Sequence, residues 1–253
     1  MTVKEIYDRL SSRIPEHLSE EWDNDGLMCA TDESRNVRRV LVTLDVTEDI
    51  VDYATAHKFD LIVSHHPLVF RPIASLTEES NVGRKLIKLI KQDVAVISLH
   101  TRADKVEGGV NDILCDILKI KEAIPFGEGD LGRVGDLEEE MGMEDFSYLL
   151  KGLLYADGVR IADACIPVKR VAVVGGDGKD FVKDAIASGA DTFVSGRLSY
   201  NLMAEAEEMG INLVEAGHFF TEQPVTSFFQ QLLMRMDSEL YVEIRDSNKI
   251  RLI

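Results

Sequence analysis

Four of the six histidines stand just past apolar runs that read as strands. His65 and His66 follow Leu61-Ile62-Val63-Ser64, His100 follows Val94 to Leu99, and His218 comes just after Asn212 to Ala216. Two of them carry a carboxylate four residues on, His100 with Asp104 and His218 with Glu222. In open α/β sheets the ligand crevice lies beyond the carboxyl ends of the strands, so His65, His66, His100, Asp104, His218 and Glu222 can converge if the sheets are built this way. Imidazole with carboxylate suits Zn, Fe, Mn, Co or Ni and disfavours Ca, which prefers oxygen alone. Neighbouring side chains on an extended backbone point to opposite sides. His65 and His66 are therefore expected to serve one ion each, in a dinuclear site with ions about 3.5–4 Å apart. A lone histidine at a strand end is ordinarily a hydrogen-bonding or surface residue, the class left to His17 and His57. The joint pattern singles out His65, His66, Asp104, His218 and Glu222.

Other chemistries find little support. There is no GxSxG, no Walker A and no GxGxxG, and Cys115 sits within an apolar helical pattern that reads as core. The turn Val173-Val174-Gly175-Gly176-Asp177-Gly178 could expose N–H groups to a phosphate, but Asp177 would repel an anion and such turns are more often structural. Glu21 to Leu27, which holds the single tryptophan, reads as an Asx-turn before a strand at Leu27-Met28-Cys29.

The elements that must position these groups alternate between strand and helix. Thr2 and Glu5 form a capping-box pattern ahead of Val3, Ile6, Leu10 and Ile14 at helical spacing. Strands are expected at Arg39–Asp45, Leu61–Ser64 and Val94–Leu99, with helices at Asp49–His57 and Asn81–Gln92, the pattern of an α/β sandwich. The chain repeats itself. Arg39-Val40-Leu41-Val42 echoes Arg170-Val171-Ala172-Val173, Asp60 to Ser64 echoes Asp191 to Ser195, and Ala54 matches Ala185, all at a common spacing of 131 residues. This indicates a duplicated β-α-β unit. Lys121 to Glu140 is rich in glycine and acid and is read as the boundary, near residue 125. Further helices are expected at Glu144–Ala156, Asp180–Ser188, Ser199–Met209 and Glu222–Met236, then strands near Leu240–Ile244 and 250–253. The last strands lack a counterpart in the second repeat. The expected division is thus 1–124 plus 215–253 for one α/β domain and 125–214 for the other.

Composition bounds the partners. The chain of 253 residues carries 28 basic and 45 acidic side chains, for a net charge of −17. That balance opposes non-specific nucleic-acid binding, although a bound metal can make a site locally positive. No apolar run approaches membrane-spanning length, the N-terminus lacks a secretory h-region, and the three cysteines form no CxxC. A cytoplasmic protein with reduced thiols is expected.

Several segments together resemble the GTP cyclohydrolase 1 type 2 homologue family, the NIF-three-like proteins. They are Glu21-Trp22-Asp23-Asn24-Asp25-Gly26-Leu27, Ser64-His65-His66-Pro67-Leu68, His100-Thr101-Arg102-Ala103-Asp104, Gly108-Gly109-Val110-Asn111-Asp112, Gly132-Arg133-Val134-Gly135, Gly175-Gly176, and Gly217-His218-Phe219-Phe220-Thr221-Glu222, in family order over nearly the whole chain. The resemblance implies a duplicated α/β fold of two interleaved domains with a dinuclear metal site between them. Carried over position by position, its ligands are His65, His66, Asp104, His218 and Glu222, with His100 in a supporting place beside them. It implies two divalent ions per chain, of Zn, Fe or Mn, and a ring-shaped homohexamer. The chain lacks the long insertion between the halves that larger members carry. It also departs from the family in having Tyr200-Asn201 where a Tyr-His pair is usual, and Asp177 where Ser is usual.

The function expected from this reading is a metal-dependent hydrolase resembling GTP cyclohydrolase 1 type 2, acting on a small nucleotide. A phosphoesterase is the rival within the enzyme class. The reading from a different class is a metal-binding scaffold or regulatory interaction protein.

Overall fold

The computed structural model describes residues 1–252. The chain divides into two compact units, the first made of Met1–Val106 and Val225–Lys249, the second of Glu107–Pro224 and the residues from Ile250. Both are α/β. Among the described residues no helix is long and apolar enough to cross a membrane.

Unit 1 opens with α1 (Val3–Arg13), started by the expected capping box: Thr2 Oγ1 accepts from Glu5 N at 3.1 Å while Thr2 N donates to Glu5 Oε2 at 2.8 Å. Strands β1 (Gly26–Cys29), β2 (Arg39–Thr43), β3 (Leu61–Ser64) and β4 (Ala95–Ser98) follow, with α2 (Glu48–Ala56) and α3 (Asn81–Lys91) as crossovers and α4 (Thr101–Lys105) after β4. Leu41, Ile62 and Val96 pack beneath Ile50, Val51 and Ala54 of α2 and Leu86 and Leu89 of α3. These strands are apolar on both faces, which is why they read as continuous hydrophobic runs rather than alternating ones.

Unit 2 contains α5 (Val110–Leu118), β5 (Lys121–Phe126), β6 (Gly132–Met141), α6 (Met143–Leu154), β7 (Arg160–Ala162), β8 (Val168–Asp177), α7 (Val182–Ala187), β9 (Thr192–Arg197), α8 (Tyr200–Ala204), α9 (Ala206–Met209), β10 (Asn212–Glu215) and α10 (His218–Glu222). The chain then returns to unit 1 with α11 (Val225–Met236) and β11 (Tyr241–Ile244). The sheet of unit 1 has the order β1-β4-β3-β2-β11 and that of unit 2 the order β5-β6-β8-β9-β10-β7. Along β8, Val171 and Val173 bury against Leu114 and Phe146, while Ala172 and Val174 bury on the opposite face with Val182 and Ala185, as the two-residue period of a strand requires.

The duplication is visible in the ladders. Val40 pairs with Leu61 in unit 1, and Val171 with Thr192 in unit 2, so residues 131 apart occupy the same register. The clasp at the start of each pair also repeats. Asp60 Oδ2 accepts from Arg38 N at 2.8 Å and Arg39 N at 2.9 Å; Asp191 Oδ2 accepts from Lys169 N at 3.1 Å and Arg170 N at 2.6 Å.

Four of the expected elements are built differently. Lys121 to Glu140, read as a Gly- and acid-rich boundary, forms most of β5 and β6: Phe126, Leu131 and Val134 bury in the core while Glu138 to Glu140 stay exposed. The helix expected over Glu222–Met236 is two helices, because Pro224 has no N–H to give to a carbonyl one turn back. The helix expected over Ser199–Met209 splits into α8 and α9 at Glu205. The strand expected at 250–253 is absent from residues 250–252, and residue 253 lies outside the described residues.

Burial sets the thiols apart. Cys29 and Cys115 are buried and Cys165 is exposed, and desolvation pushes the Cys115 thiol up to about 12. A thiol-specific reagent at neutral pH is expected to modify one cysteine of the native chain rapidly, at Cys165, and all three only after unfolding; peptide mapping of the first adduct checks this.

Candidate metal centre

In unit 1 the carboxyl ends of β3 and β4 deliver three histidines to one place. The backbone bends at His65 and His66, directly after β3. The strict alternation of a strand lapses there, and the expectation that the two rings point to opposite sides does not hold. Their centroids lie 5.0 Å apart, and those of His65 and His66 lie 5.2 and 5.6 Å from His100. One ligand atom from each of these three residues lies within 4.8 Å of the others, a spacing at which they could hold a metal ion.

Each ring is oriented through Nδ1. His65 Nδ1 donates to the carbonyl of Leu99 at 2.9 Å, His66 Nδ1 to Asp45 Oδ1 at 2.7 Å, and His100 Nδ1 to Asp23 Oδ1 at 2.8 Å. A carbonyl or carboxylate can only accept, so each Nδ1 carries a proton and Nε2 is the ring nitrogen turned toward the cluster. This is the arrangement by which proteins fix a metal-binding imidazole. The donor set therefore fits a divalent transition metal. Asp104, on α4, brings its Oδ1 to 3.6 Å from His65 Nε2, beyond hydrogen-bond length.

The segment Trp22-Asp23-Asn24-Asp25-Gly26 holds this end of α4, which corrects its reading as a simple turn. Asp23 Oδ2 accepts from Thr101 N at 3.1 Å and Thr101 Oγ1 at 2.6 Å; Asp25 Oδ2 accepts from His100 N at 3.1 Å and Arg102 Nε at 3.0 Å. The fully buried Arg102 also donates from Nη1 to Ser11 Oγ and to the Ile14 carbonyl, both at 3.3 Å. Burial works to raise the Asp23 carboxyl, but the hydrogen bond from His100 and the two bonds from Thr101 work against it, and the group is held at about 2. At Asp25 burial prevails over the Arg102 charge and the carboxyl is raised.

Unit 2 presents a second pair at the equivalent place. After β10, α10 carries His218 and Glu222 one turn apart, with Nε2 to Oε2 at 3.0 Å. Glu222 is buried and His218 exposed. The room comes from glycine. Gly176 has φ +66°, and a Cβ there would meet Glu222 Oε1 at 2.1 Å and His218 Nε2 at 3.3 Å. A Cβ on Gly196 would meet Thr221 Oγ1 at 2.6 Å and His218 Cα at 2.7 Å. Thr221 Oγ1 accepts from Gly176 N at 3.1 Å, and Asn111 Oδ1 accepts from Gly175 N at 2.8 Å. The Gly175–Gly178 turn thus seats the Glu222 carboxylate. The other family motifs brace it: Asn111 Nδ2 donates to the Leu131 carbonyl at 2.9 Å, and Arg133 pairs with Asp112.

Sequence reasoning missed Asp23, Asp25, Asp45 and Arg102. Three of the four lie in segments that carry the family resemblance, and Asp45 lies two residues past β2, the strand that β3 pairs with. His17 and His57 join no group in unit 1: His57 caps α2 and stacks on Tyr53, and His17 lies in a single helical turn.

A family model described as Duf34/NIF3 (NGG1p interacting factor 3) matches residues 1–251. A protein of Clostridium perfringens named GTP cyclohydrolase 1 type 2 homolog is 36% identical over 248 residues, which cover 95% of this chain and 94% of that one. Its namesake in Streptococcus pneumoniae is 32% identical over 228 residues, 87% of this chain and 85% of the relative. Among solved structures, the Bacillus cereus protein related to NIF3 aligns with a TM-score of 0.89 over 100% of this chain and 99% of its own, at 23% identity, a likeness of fold. Reduced HcgD from Methanocaldococcus jannaschii gives 0.85 over 96% and 97%, at 27% identity.

Two substitutions test the geometry. Gly176→Ala must displace Glu222 and is expected to weaken zinc binding on the order of 10- to 100-fold in calorimetric titration, with far-ultraviolet circular dichroism unchanged. Asp23→Asn probes linkage. A carboxyl held at about 2 against an ordinary 3.8 contributes stability that is fully present above about pH 4 and lost as pH falls toward 2. Urea unfolding should show Asp23→Asn less stable than wild type at neutral pH, with the gap narrowing below about pH 4.

Proposed function

Since the chain belongs to the Duf34/NIF3 family, we propose that it is a dinuclear, divalent-metal-dependent hydrolase whose ions are held by His65, His66, Asp104, His218 and Glu222. The observation that carries this reading is the common orientation of His65, His66 and His100, each with Nδ1 committed to an acceptor and with ligand atoms of the three residues within 4.8 Å of one another. The His218–Glu222 pair supplies a second nitrogen and oxygen donor at 3.0 Å. Five side chains serving two ions leave positions for water and substrate, as catalytic sites do.

Divalent ions at such a site lower the pKa of water toward about 7 and polarise an electrophilic carbon or phosphorus. The remaining tasks fall to the chain. Asp45 and Asp23 hold the imidazoles of His66 and His100 in one tautomer. His100 takes a proton at Nε2 and returns it to the leaving group, its Nδ1–H fixed by Asp23. Gly176 and Thr221 keep the α10 end in place for Glu222.

The name shared by the relatives, GTP cyclohydrolase 1 type 2 homolog, makes hydrolytic opening of a purine ring the first reaction to try, with simple phosphoesters second. The proposal includes Zn, Fe or Mn as the ion and a ring-shaped homohexamer.

Elemental mass spectrometry of the purified chain should find about two transition-metal ions per chain, and His65→Ala with His218→Ala should lose them while remaining folded. Metal-loaded protein should then turn over GTP or a phosphoester, with loss of turnover in the double variant. Failure of wild type to retain Zn, Fe or Mn after reconstitution would overturn the metal reading.

A further inference from the structure

The chain's single tryptophan sits on the surface beside the histidine cluster. Trp22 is 62% exposed and Phe70 43%, although burying such rings is worth kilocalories. They come from separate loops of unit 1, one before β1 and one after β3. Asn24 Nδ2 donates to the Val69 carbonyl and so ties the two loops together. The Trp22 and Phe70 rings meet edge to face at 6.1 Å, and each meets the His100 ring edge to face at 6.2 Å. The neighbouring Asp23 fixes His100 through Nδ1. Three mutually tilted rings thus meet beside the donor cluster, two of them open to solvent. In edge-to-face packing each ring keeps at least one face for a visitor.

We propose that Trp22 and Phe70 form a stacking platform that selects substrates carrying a flat, uncharged heteroaromatic ring and delivers that ring beside His100. The shape of the platform calls for a planar guest. Its charge follows from the proposed metal site, on which this inference rests, because a cationic guest would be repelled by divalent ions close by. Stacking on an aromatic face tolerates many ring systems, so Trp22 and Phe70 set the class of substrate while the donor cluster selects the atom attacked.

Trp22 is its own reporter, since no other tryptophan contributes emission. Metal-loaded protein is titrated with guanosine, with ribose 5-phosphate and with choline, and metal content is measured on the same samples. Guanosine should quench Trp22 emission saturably, while ribose 5-phosphate and choline leave it unchanged. Phe70→Ala should weaken guanosine binding about tenfold, the weight of one stacking contact, with metal content unaltered. By equilibrium dialysis, Trp22→Ala should lose guanosine binding and Trp22→Phe retain most of it. Equal quenching by ribose 5-phosphate, stronger binding of choline, or an affinity unmoved in Phe70→Ala would overturn the platform. So would a blue shift of Trp22 emission with rising protein concentration alone, which would mean that a second copy covers these rings. The two readings fail separately: quenching by guanosine in a chain that holds no metal keeps the platform and removes the hydrolase, whereas bound metal without ring-dependent quenching does the reverse.

Discussion

An imidazole offers a lone pair at one nitrogen only when the proton is held at the other, and much of unit 1 is arranged to meet that condition three times. The acceptors are a backbone carbonyl at the end of β4, a carboxylate at the end of β2 and a carboxylate from the loop before β1. Each sits just outside a strand, two of them past its end and one before its start. At those ends the backbone groups are no longer consumed by the ladder and can turn to side chains. The Asp25–Arg102 pair beneath them is buried, and such a pair adds little net stability because both charges lose their water. Its effect is geometric. It fixes the start of α4, and with it His100 and Asp104, relative to the loop that carries Asp23.

Duplication supplies the same platform twice and fills it differently. Registers and aspartate clasps coincide at a spacing of 131 residues. The donors do not. Leu99 N bonds to Ser64 O and Ala216 N to Ser195 O, which makes Leu99 and Ala216 equivalent. His100 follows its reference residue immediately, whereas Gly217 intervenes before His218. The His-x-x-x-carboxylate pair is therefore advanced by one residue in unit 2, with His218 inside its short helix and His100 just ahead of its own. In unit 1 the histidine of this pair is oriented by Asp23; in unit 2 it pairs directly with Glu222.

Much of this was legible in the sequence for a physical reason. Strands buried on both faces are continuous apolar runs, and the echo of Arg39–Val42 in Arg170–Val173 exposed the repeat. The candidate donors could be singled out because they stand past strand ends, where few other reasons place a histidine beside a carboxylate. What stayed hidden depends on tertiary contact. Lys121 to Glu140 looks like a linker because β6 turns its acids outward and glycine lets it pack closely, features that a one-dimensional pattern assigns to loops. Asp23 and Asp25 are polar residues near a glycine, identical on paper to a turn; only their partners on α4 distinguish them. The opposed directions expected for His65 and His66 followed from extending the strand two residues too far.

The strand at the far end of the chain has a consequence for synthesis. β11 lies parallel to β2 at the rim of the first sheet, with some two hundred residues between them. Until the ribosome has passed Ile244, β2 is a bare edge, and a bare parallel edge invites pairing with whatever strand arrives first. Every helix and strand of the second unit is already in the nascent chain before the first can close. Order of emergence and order of completion are thus reversed in this protein, and the C-terminal segment serves as the latch that ends the vulnerable interval.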